Sequence, residues 1–377
     1  MPITNLQNSN DFEGQKFYVG LDVHKKSWSV TVRSLQRQVT HFTQPPCAET
    51  LARTLKKRFP GGIFYSAYEA GFCGTVAHEQ LCKHGITNII VNPGDVPSTD
   101  KQKKTKTDVH DSRLIAENLE KNNLRAIHIF THEQQQLRSL CRLRECKVKE
   151  RVRANNRLKG FLVYYGIQVP ETISKKEFIS QKVLTWLQDL ELSCSAGNLA
   201  LQEIIAELKH QRQQEYRVTK MLRQQVEATH GEEYKRLLTV PGIGPVTAMA
   251  MLAETGGLSR FDDPDEYASY LGLMPWDESS GDTIKTKGIQ PRCNKHLRPL
   301  LIEAAWVSVR KSTELHAYYS KHAAKNNKHA IIKVAKKLAM IARGCVLKKE
   351  DYQAGYVPKK QEAKSEKVFQ AYTEQHI

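Results

Sequence analysis

Four carboxylate side chains stand at positions where a metal-dependent nuclease would need them. Asp22 lies near the end of the apolar run 17–23, and Glu69 ends a second apolar run. Asp108 and Asp111 are three residues apart at the start of a helical pattern, so both project from one face of that helix. Clustered carboxylates repel one another and are ionised together only when a cation neutralises them. The four acids therefore predict a site for Mg²⁺ (or Mn²⁺), which prefer carboxylate, water and phosphate oxygens.

The chemistry of such a site is the cleavage of phosphodiesters. Two divalent ions a few ångströms apart clamp the attacking and the leaving oxygen of a phosphodiester. The alternative is that the four acids are solvated surface residues, as most Asp and Glu are. Their placement at strand ends and at a helix start favours the metal site.

The elements around these acids predict an α/β domain over residues 1–130. Three strands joined by short polar connections suggest an antiparallel meander, and later strands alternate with helices, which predicts a mixed sheet with helices on its faces. This series resembles the RNase H and RuvC nuclease architecture. The predicted elements are strands Phe17–Val23, Trp28–Val32 and Val39–Phe42, helix Ala48–Arg58, strand Ile63–Glu69, a helix from about Thr75 to Lys83, strand Asn88–Val91 and the helix that carries Asp108 and Asp111.

Composition favours a polyanionic partner. The 377 residues contain 57 Lys and Arg against 40 Asp and Glu, a net charge of +17, and this balance favours nucleic acid through counterion release. The eight cysteines form no C-x-x-C pair, so neither a zinc site nor a disulfide framework is indicated. No signal-like N-terminus and no apolar run of membrane length is present, which predicts a cytoplasmic protein with no membrane partner.

Residues 131–230 are predicted to form a helical, coiled-coil arm. One helix begins near Glu133, a second spans Asn198 to about Thr229, and a turn-rich connection, 166–197, joins them. Two long helices that bury little surface alone predict an antiparallel coiled coil or a dimer element, and a solvated hairpin is the alternative. Basic residues here and before Asp108 are predicted to contact nucleic-acid phosphates: Arg138, Arg142, Arg151, Arg157, Lys101, Lys103, Lys104 and Lys106.

Residues 231–345 are predicted to form a mostly helical domain, followed by a charged tail, 346–377. The segment 237–248 has the form of a helix-hairpin-helix turn, in which the backbone N–H groups at Gly242 and Gly244 approach a phosphate. A plain turn between two helices is the alternative. Ser280 stands beside a glycine on a predicted loop, where it could approach a phosphate or simply form a turn. The basic residues that follow are predicted to bind nucleic acid: Lys285, Lys287 and Arg292.

Six motifs taken together resemble one family, the DEDD transposases of bacterial insertion sequences, which include the Piv invertase and the bridge-RNA-guided recombinases. The resemblance covers about residues 16–345, and the arm is its least distinctive part. The motifs are Gly20-Leu21-Asp22-Val23-His24-Lys25, Tyr68-Glu69-Ala70, Lys106-Thr107-Asp108-Val109-His110-Asp111, Val240-Pro241-Gly242-Ile243-Gly244, Leu271-Gly272-Leu273-Met274-Pro275 and Ser279-Ser280-Gly281.

This resemblance implies a RuvC-like domain with Asp22, Glu69, Asp108 and Asp111 as its catalytic tetrad. It also implies a C-terminal transposase domain whose catalytic serine is Ser280, with Ser279 as the alternative. The implied partners are donor DNA, target DNA and a non-coding bridge RNA that joins them. A homo-oligomer (a dimer or a tetramer) in the bacterial cytoplasm, associated with the nucleoid, is implied as well.

The chain departs from the family pattern at Cys293, where a glycine is usual, and we expect this change to alter the shape of the local loop. Three rival functions use part of the same pattern. A junction resolvase would use the four acids without Ser280. An actin-like sugar kinase would need a second glycine-rich phosphate loop, which the sequence lacks. A non-catalytic nucleic-acid-binding protein would not need all four acids.

Overall fold

Strands and helices divide between two units of the chain, Met1–Ile129 and Phe130–Ile377. The structure is a computed structural model that describes residues 12–97, 107–170, 181–280, 283–324 and 326–355, with the backbone alone described at 181, 276–280 and 283–287. The predicted α/β plus α class is confirmed, because the first unit contains a five-stranded mixed sheet and the described part of the second is dominated by helices.

The sheet of the first unit has the strand order β3-β2-β1-β4-β5. The first three strands form the predicted antiparallel meander, and β4 and β5 continue the sheet in parallel to β1. This mixed sheet is consistent with an RNase H-like domain. The strands are β1 Lys16–Val23, β2 Trp28–Ser34, β3 Arg37–Gln44, β4 Ile63–Glu69 and β5 Thr87–Val91, and the helices are α1 Ala48–Arg58, α2 Val76–Lys83 and α3 Asp108–Glu120.

One face of the sheet packs on an apolar core that includes helices α1 and α2. Val19 and Leu21 of β1 are fully buried there, together with Leu51 and Leu55 of α1 and Leu81 of α2. Full burial of each such side chain contributes about 1.5–3 kcal/mol. The opposite face receives α3, which contacts β1, β2 and β4. All seven residues of β2 are buried, as expected for a strand covered on both faces.

The β2–β3 hairpin is tied to the far end of α3. Its two-residue turn has positive φ at both Leu35 (50°) and Gln36 (60°). The Gln36 N–H donates to Glu120 of α3 (2.7 Å), and Arg33 Nε donates to the other oxygen of the same carboxylate (2.8 Å). The predicted β3, 39–42, was too short, because the observed strand begins directly after this turn at Arg37.

The second unit contains two long antiparallel helices and a helical body. The predicted turn-rich connection 166–197 was wrong in part, because it contains helix α5, whose residues Val183, Leu184 and Leu187 are buried. Its elements are α4 His132–Tyr164, α5 Gln181–Gln188, α6 Ser195–Thr239, α7 Pro245–Thr255, α8 Pro264–Leu271, β6 Pro275–Ser280, β7 Thr283–Ile289, α9 Leu297–Lys311, α10 Thr313–Ala323 and α11 Asn327–Lys348.

Helix α6 spans two separate cores. Its first half packs Leu201, Ile205 and Leu208 against α4 and α5, and its last turns join the larger core of the helical body. The helix is interrupted at His230, the one residue within it that the structure gives non-helical backbone angles (φ −136°, ψ 31°). The predicted helix ended near Thr229, which is the point of this kink.

None of the described helices is long and apolar enough to cross a membrane. All eight cysteines are at described positions, and all are free thiols.

A buried carboxylate joins α4 to α7. Glu254 is fully buried, and it accepts hydrogen bonds from Arg138 Nε (3.0 Å), Arg142 Nε (2.8 Å) and Asn294 Nδ2 (3.0 Å). Burial raises the pKa of the Glu254 carboxyl, but the hydrogen bond from Arg142, the charge of Arg138 and the hydrogen bond from Asn294 outweigh it. The pKa therefore lies below its ordinary value. A buried charge of this kind is stable only while its partners remain in place.

We predict that Glu254→Gln lowers the free energy of unfolding at neutral pH by about 2 kcal/mol, since it removes the counter-charge of both guanidinium groups. The loss is smaller than for a fully buried pair because Arg142 is 40% exposed. The folded-state pKa lies below the unfolded one, so this stability is present at neutral pH and is lost as the pH falls through the folded-state pKa.

Urea unfolding from about pH 7 down to about pH 3 measures the effect. The wild type should lose more stability than the variant, and the two should converge at acidic pH. Glu303→Gln is the control, because Glu303 is exposed on α9. Parallel pH profiles for wild type and Glu254→Gln would contradict the role of this carboxylate.

Candidate functional site

The carboxyl ends of two parallel strands place the first two acids side by side. In the β1–β4 pair, Leu21 lies opposite Tyr68, and both side chains are fully buried. The next residues along the two strands are Asp22 and Glu69. Because side chains alternate along a strand, both acids project from the opposite face, on which α3 packs.

Helix α3 reaches this part of the sheet because β1 has no side chain at Gly20. A Cβ atom at this position would lie 2.0 Å from the Ser112 carbonyl oxygen and 2.4 Å from the Ala116 nitrogen. The helix backbone therefore rests directly on the strand. Since Gly20 and Asp22 share a face, the first turn of α3 lies beside Asp22.

Buried hydroxyl groups fix the start of α3 against β2. Ser29 Oγ lies 3.1 Å from the Asp108 carbonyl oxygen and donates to it. Ser112 Oγ lies 3.2 Å from Ser29 Oγ and 2.9 Å from Thr31 Oγ1, so the hydroxyls form one hydrogen-bonded cluster. Thr107 caps the helix by accepting from the His110 N–H (3.3 Å). These contacts hold the backbone of Asp108 in place without using its carboxylate, which is therefore available to bind other groups.

The structure brings Asp22 and Asp108 to the same nitrogen atom. His24 Nε2 lies 3.0 Å from Asp22 Oδ2 and 3.6 Å from Asp108 Oδ1. Asp22 is the least accessible of the three, with 22% of its side chain exposed against 66% for Asp108. Burial raises the pKa of the Asp22 carboxyl, contact with His24 opposes this, and the negative charges of Asp108 and Asp111 raise it further. Asp111 is thus close enough for its charge to act on Asp22.

The donor groups of this cluster fit a divalent cation. The ligand atoms of Asp22, His24 and Asp108 all lie within 4.8 Å of one another. The net rise in the Asp22 pKa shows that its ionised form is disfavoured here, and a bound cation would remove that penalty. Carboxylate oxygens are the ligands that Mg²⁺ and Mn²⁺ prefer. His24 was not among the predicted site residues, and it lies in the turn directly after β1, two residues beyond Asp22.

In the second unit, the four arginines that were predicted to contact phosphates form ion pairs with glutamates of the same chain. Arg138 and Arg142 bind Glu254, Arg151 binds Glu215 of α6, and Arg157 binds Glu207 of the same helix. Phosphate contact by these four arginines stays a prediction, and each guanidinium group already has a carboxylate partner within the chain. The predicted contacts Lys101, Lys103, Lys104 and Lys106 lie outside the described residues.

The turn between α6 and α7 has two glycines with different surroundings. Gly242 has a φ of 92°, and a Cβ atom there would lie 2.2 Å from Ser308 Oγ and 2.4 Å from the Ala304 carbonyl oxygen of α9. Its lack of a side chain is therefore required for packing. A Cβ at Gly244 would meet nothing within 4 Å, so this residue, which precedes α7, faces open space.

Ser280 is the last residue of β6 and pairs with Thr283 across the β6–β7 hairpin. The side chains of Ser280, Lys285 and Lys287 lie outside the described part of the structure, and Arg292 follows the hairpin as an exposed residue. Cys293 has no positive φ. It packs against Gly272, where an added Cβ would lie 2.3 Å from the Cys293 Cβ. His296 contacts Glu145 of α4.

Comparison with known proteins assigns the family. A model described as "Transposase IS116/IS110/IS902 family" matches residues 234–320, and a DEDD transposase model of the IS110 type matches residues 19–167. The chain is 30% identical to a probable family 20 transposase of Pseudomonas aeruginosa over 296 residues, which cover 78% of this chain and 84% of the relative. The chain belongs to the IS110/IS116 family of insertion-sequence transposases. As a transposase it cuts and joins DNA.

A further relative of this transposase is the transposase for insertion sequence element IS1111A of Coxiella burnetii, 26% identical over 75% of this chain and 78% of the relative. A putative transposase of Sinorhizobium fredii is 25% identical over 77% of this chain and 71% of its own. The predicted family membership is confirmed. The DEDD match spans Asp22, Glu69, Asp108 and Asp111, and the second match spans Ser280.

We predict that Gly20→Ala displaces α3 and destabilises the first unit of the transposase by about 1–3 kcal/mol, because the new methyl group overlaps helix backbone that cannot rotate away. Hydrogen exchange of peptides from residues 108–120 should accelerate. Gly71→Ala is the matched control in the same unit, since the nearest atom to its added Cβ is 3.8 Å away. Unchanged exchange in Gly20→Ala would show that α3 does not rest on β1.

Proposed function

We propose that this transposase cuts DNA strands at a divalent-metal site formed by Asp22, Glu69, Asp108 and Asp111. The observation that carries this proposal is the meeting of the Asp22 and Asp108 carboxylates at His24 Nε2, at the carboxyl end of β1. The two acids come from elements 86 positions apart in sequence, and the Gly20 contact and the Ser29 hydroxyl hold those elements together. A surface without function would not need this positioning.

The side chains of the site have separate tasks. Asp22 is held by the β1–β2 ladder, where it pairs with Ser29, and Asp108 is held by the capped start of α3. The backbone segments that carry both carboxylates are thereby fixed before substrate arrives, so less free energy is needed to order the site at the moment of reaction. A bound Mg²⁺ or Mn²⁺ would supply Lewis-acid stabilisation of the charge that develops on phosphate oxygens.

Asp22→Asn should lower DNA strand cleavage by at least about a hundredfold, because it removes one negative charge from the metal site without changing side-chain shape. DNA binding measured by fluorescence anisotropy should stay within about twofold of wild type, since phosphate contacts elsewhere are retained. Glu49→Gln, an exposed acid on α1, is the control. Full cleavage in EDTA, or by the Asp22→Asn protein, would exclude this site as the metal centre.

We further propose that Ser280 is the nucleophile that joins the protein to DNA. Its Oγ would form a bond to phosphorus while the bond between phosphorus and a deoxyribose oxygen breaks, and the serine proton would end on that departing oxygen. Attack by the hydroxyl of another strand would reverse these steps, so that the phosphodiester is re-formed and the serine regains its proton. The support is the family resemblance of Ser279-Ser280-Gly281 and the place of Ser280 at the end of a hairpin strand.

Serine is a weak nucleophile at neutral pH and requires a neighbouring base or cation. The nearest histidine in the sequence is His296, sixteen residues after Ser280. We therefore propose that the acid cluster assists Ser280 from the same chain or from a second subunit of a dimer or a tetramer. If the cluster comes from a second subunit, assembly would control activity, because each subunit alone would lack a complete site.

Ser280→Ala should abolish both strand cleavage and the covalent protein–DNA adduct detected on denaturing gels, whereas Ser279→Ala should reduce them less. Mixing Ser280→Ala protein with Asp22→Asn protein should restore part of the activity if sites are shared between subunits. An undiminished adduct in Ser280→Ala would assign the nucleophile to Ser279, and cleavage without any adduct would assign it to water.

The nucleic-acid partners are proposed as donor DNA, target DNA and a bridge RNA. The net charge of +17 and the open backbone at Gly244, before the N-terminus of α7, support contact with phosphates. On this proposal, the α6–α7 turn acts as a helix-hairpin-helix, and α4 with α6 acts as the coiled-coil arm. RNA that copurifies with the transposase, once sequenced, identifies the guide.

A further inference from the structure

His24 occupies a turn whose backbone is fixed on both sides. The residue follows β1 directly, and its N–H donates to the Ser27 carbonyl oxygen (3.1 Å), which closes the connection to β2. Asp22, two residues earlier, is held in the ladder opposite Ser29. The imidazole therefore projects towards the acid cluster from a short and constrained hairpin turn.

The distances around His24 are those of neighbouring ligands on one ion. Adjacent ligands on an octahedral cation at 2.0–2.1 Å are separated by about 3 Å. His24 Nε2 lies 3.0 Å from Asp22 Oδ2 and 3.6 Å from Asp108 Oδ1. A cation between the three atoms would thus need only small rotations of Asp108, whose side chain is 66% exposed.

We propose that His24 Nε2 is a direct ligand of the catalytic divalent ion, and that this nitrogen makes the site select Mn²⁺ over Mg²⁺. The inference rests on the proposed metal site and adds a ligand and a preference to it. Mg²⁺ is a hard ion that takes oxygen ligands, whereas later divalent metals accept imidazole more readily. A set of carboxylates alone suits both ions, so the added nitrogen is what would shift the preference further towards Mn²⁺.

The competing interpretation is that His24 only donates a hydrogen bond to Asp22. Both interpretations use the same 3.0 Å distance, and they differ in what happens when an ion binds. A ligand places its nitrogen directly on the metal. A hydrogen-bond donor keeps its proton between nitrogen and oxygen, and its nitrogen stays outside the coordination shell. The side chain is 49% exposed, so water can reach the second ring nitrogen and support either orientation.

Electron spin echo spectroscopy of Mn²⁺ separates the two, because a directly bound imidazole nitrogen modulates the echo of the ion. The experiment uses full-length, untagged transposase with one equivalent of Mn²⁺. The wild type should show the ¹⁴N modulation, and His24→Ala and His24→Asn should both lose it. His110→Ala is the matched control. His110 lies in the first turn of α3, between Asp108 and Asp111, and lines a different cavity with Arg113, Leu114 and Glu117. It should retain the signal.

Competition between the two ions gives a second measurement. In His24→Ala, the ratio of Mn²⁺ to Mg²⁺ affinity should fall by about tenfold or more. Loss of a residue that only supports a metal ligand already lowers metal affinity by about tenfold or more, and loss of a ligand should cost at least as much. An unchanged ratio would overturn the proposal.

The outcomes also separate the proposed role of His24 from the proposed metal site on which it rests. Mn²⁺ that binds in an Asp22-dependent manner without nitrogen modulation would overturn the role of His24 and leave the carboxylate site intact. Mn²⁺ binding that is unaffected by Asp22→Asn would overturn the metal site itself and the His24 ligand with it. If the modulation is lost in His110→Ala and kept in His24→Ala, the ligand nitrogen belongs to His110, and the proposal is overturned.

Discussion

The direct contact between the backbone of α3 and strand β1 is the constraint on which the site depends. It requires a residue without a side chain at position 20, because any Cβ would overlap the helix. The contact is polar on its β2 side, where Ser29, Thr31 and Ser112 share hydrogen bonds. A helix that packs on larger side chains would stand several ångströms farther away, and Asp108 could not approach Asp22. The spacing of the acids is therefore a result of packing beneath them.

In the second unit, too, contacts between elements that are distant in sequence position the charged side chains. Arg138 and Arg142 of α4 share one buried acid of α7, Glu254, while Arg151 and Arg157 form ion pairs with glutamates of α6. The partners on α6 are reached in reverse chain order, which is the signature of an antiparallel pair. Much of the positive charge that sequence assigns to a nucleic-acid surface thus also fixes the register of the two long helices.

The sequence was a good guide wherever a local pattern decided the outcome. Apolar runs ended by acids identified β1 and β4, and the helical pattern that begins with Asp108 and Asp111 identified the start of α3. Prediction failed where distant residues decide. The ion pairs of Arg138 and Arg142 within the chain could not be predicted, because Glu254 lies more than a hundred residues away. Helix α5 was missed because it is short, and it is stabilised by burial against α4 and α6. The contact of His24 with two acids depends on the position of α3, which no spacing within the motif reveals.

The anchoring of α4 at one end gives the long helical pair the properties of a lever. Arg142 is fixed on Glu254, and Tyr164 at the other end of the helix is 22 residues, or about 33 Å, away. A rotation of about 5° at the anchor displaces the far end by about 3 Å over that length. Small rearrangements of the buried carboxylate and its two arginines are therefore amplified at the tip. In the reverse direction, a load applied at the tip is delivered to α7 and to the turn at Gly244 that precedes it.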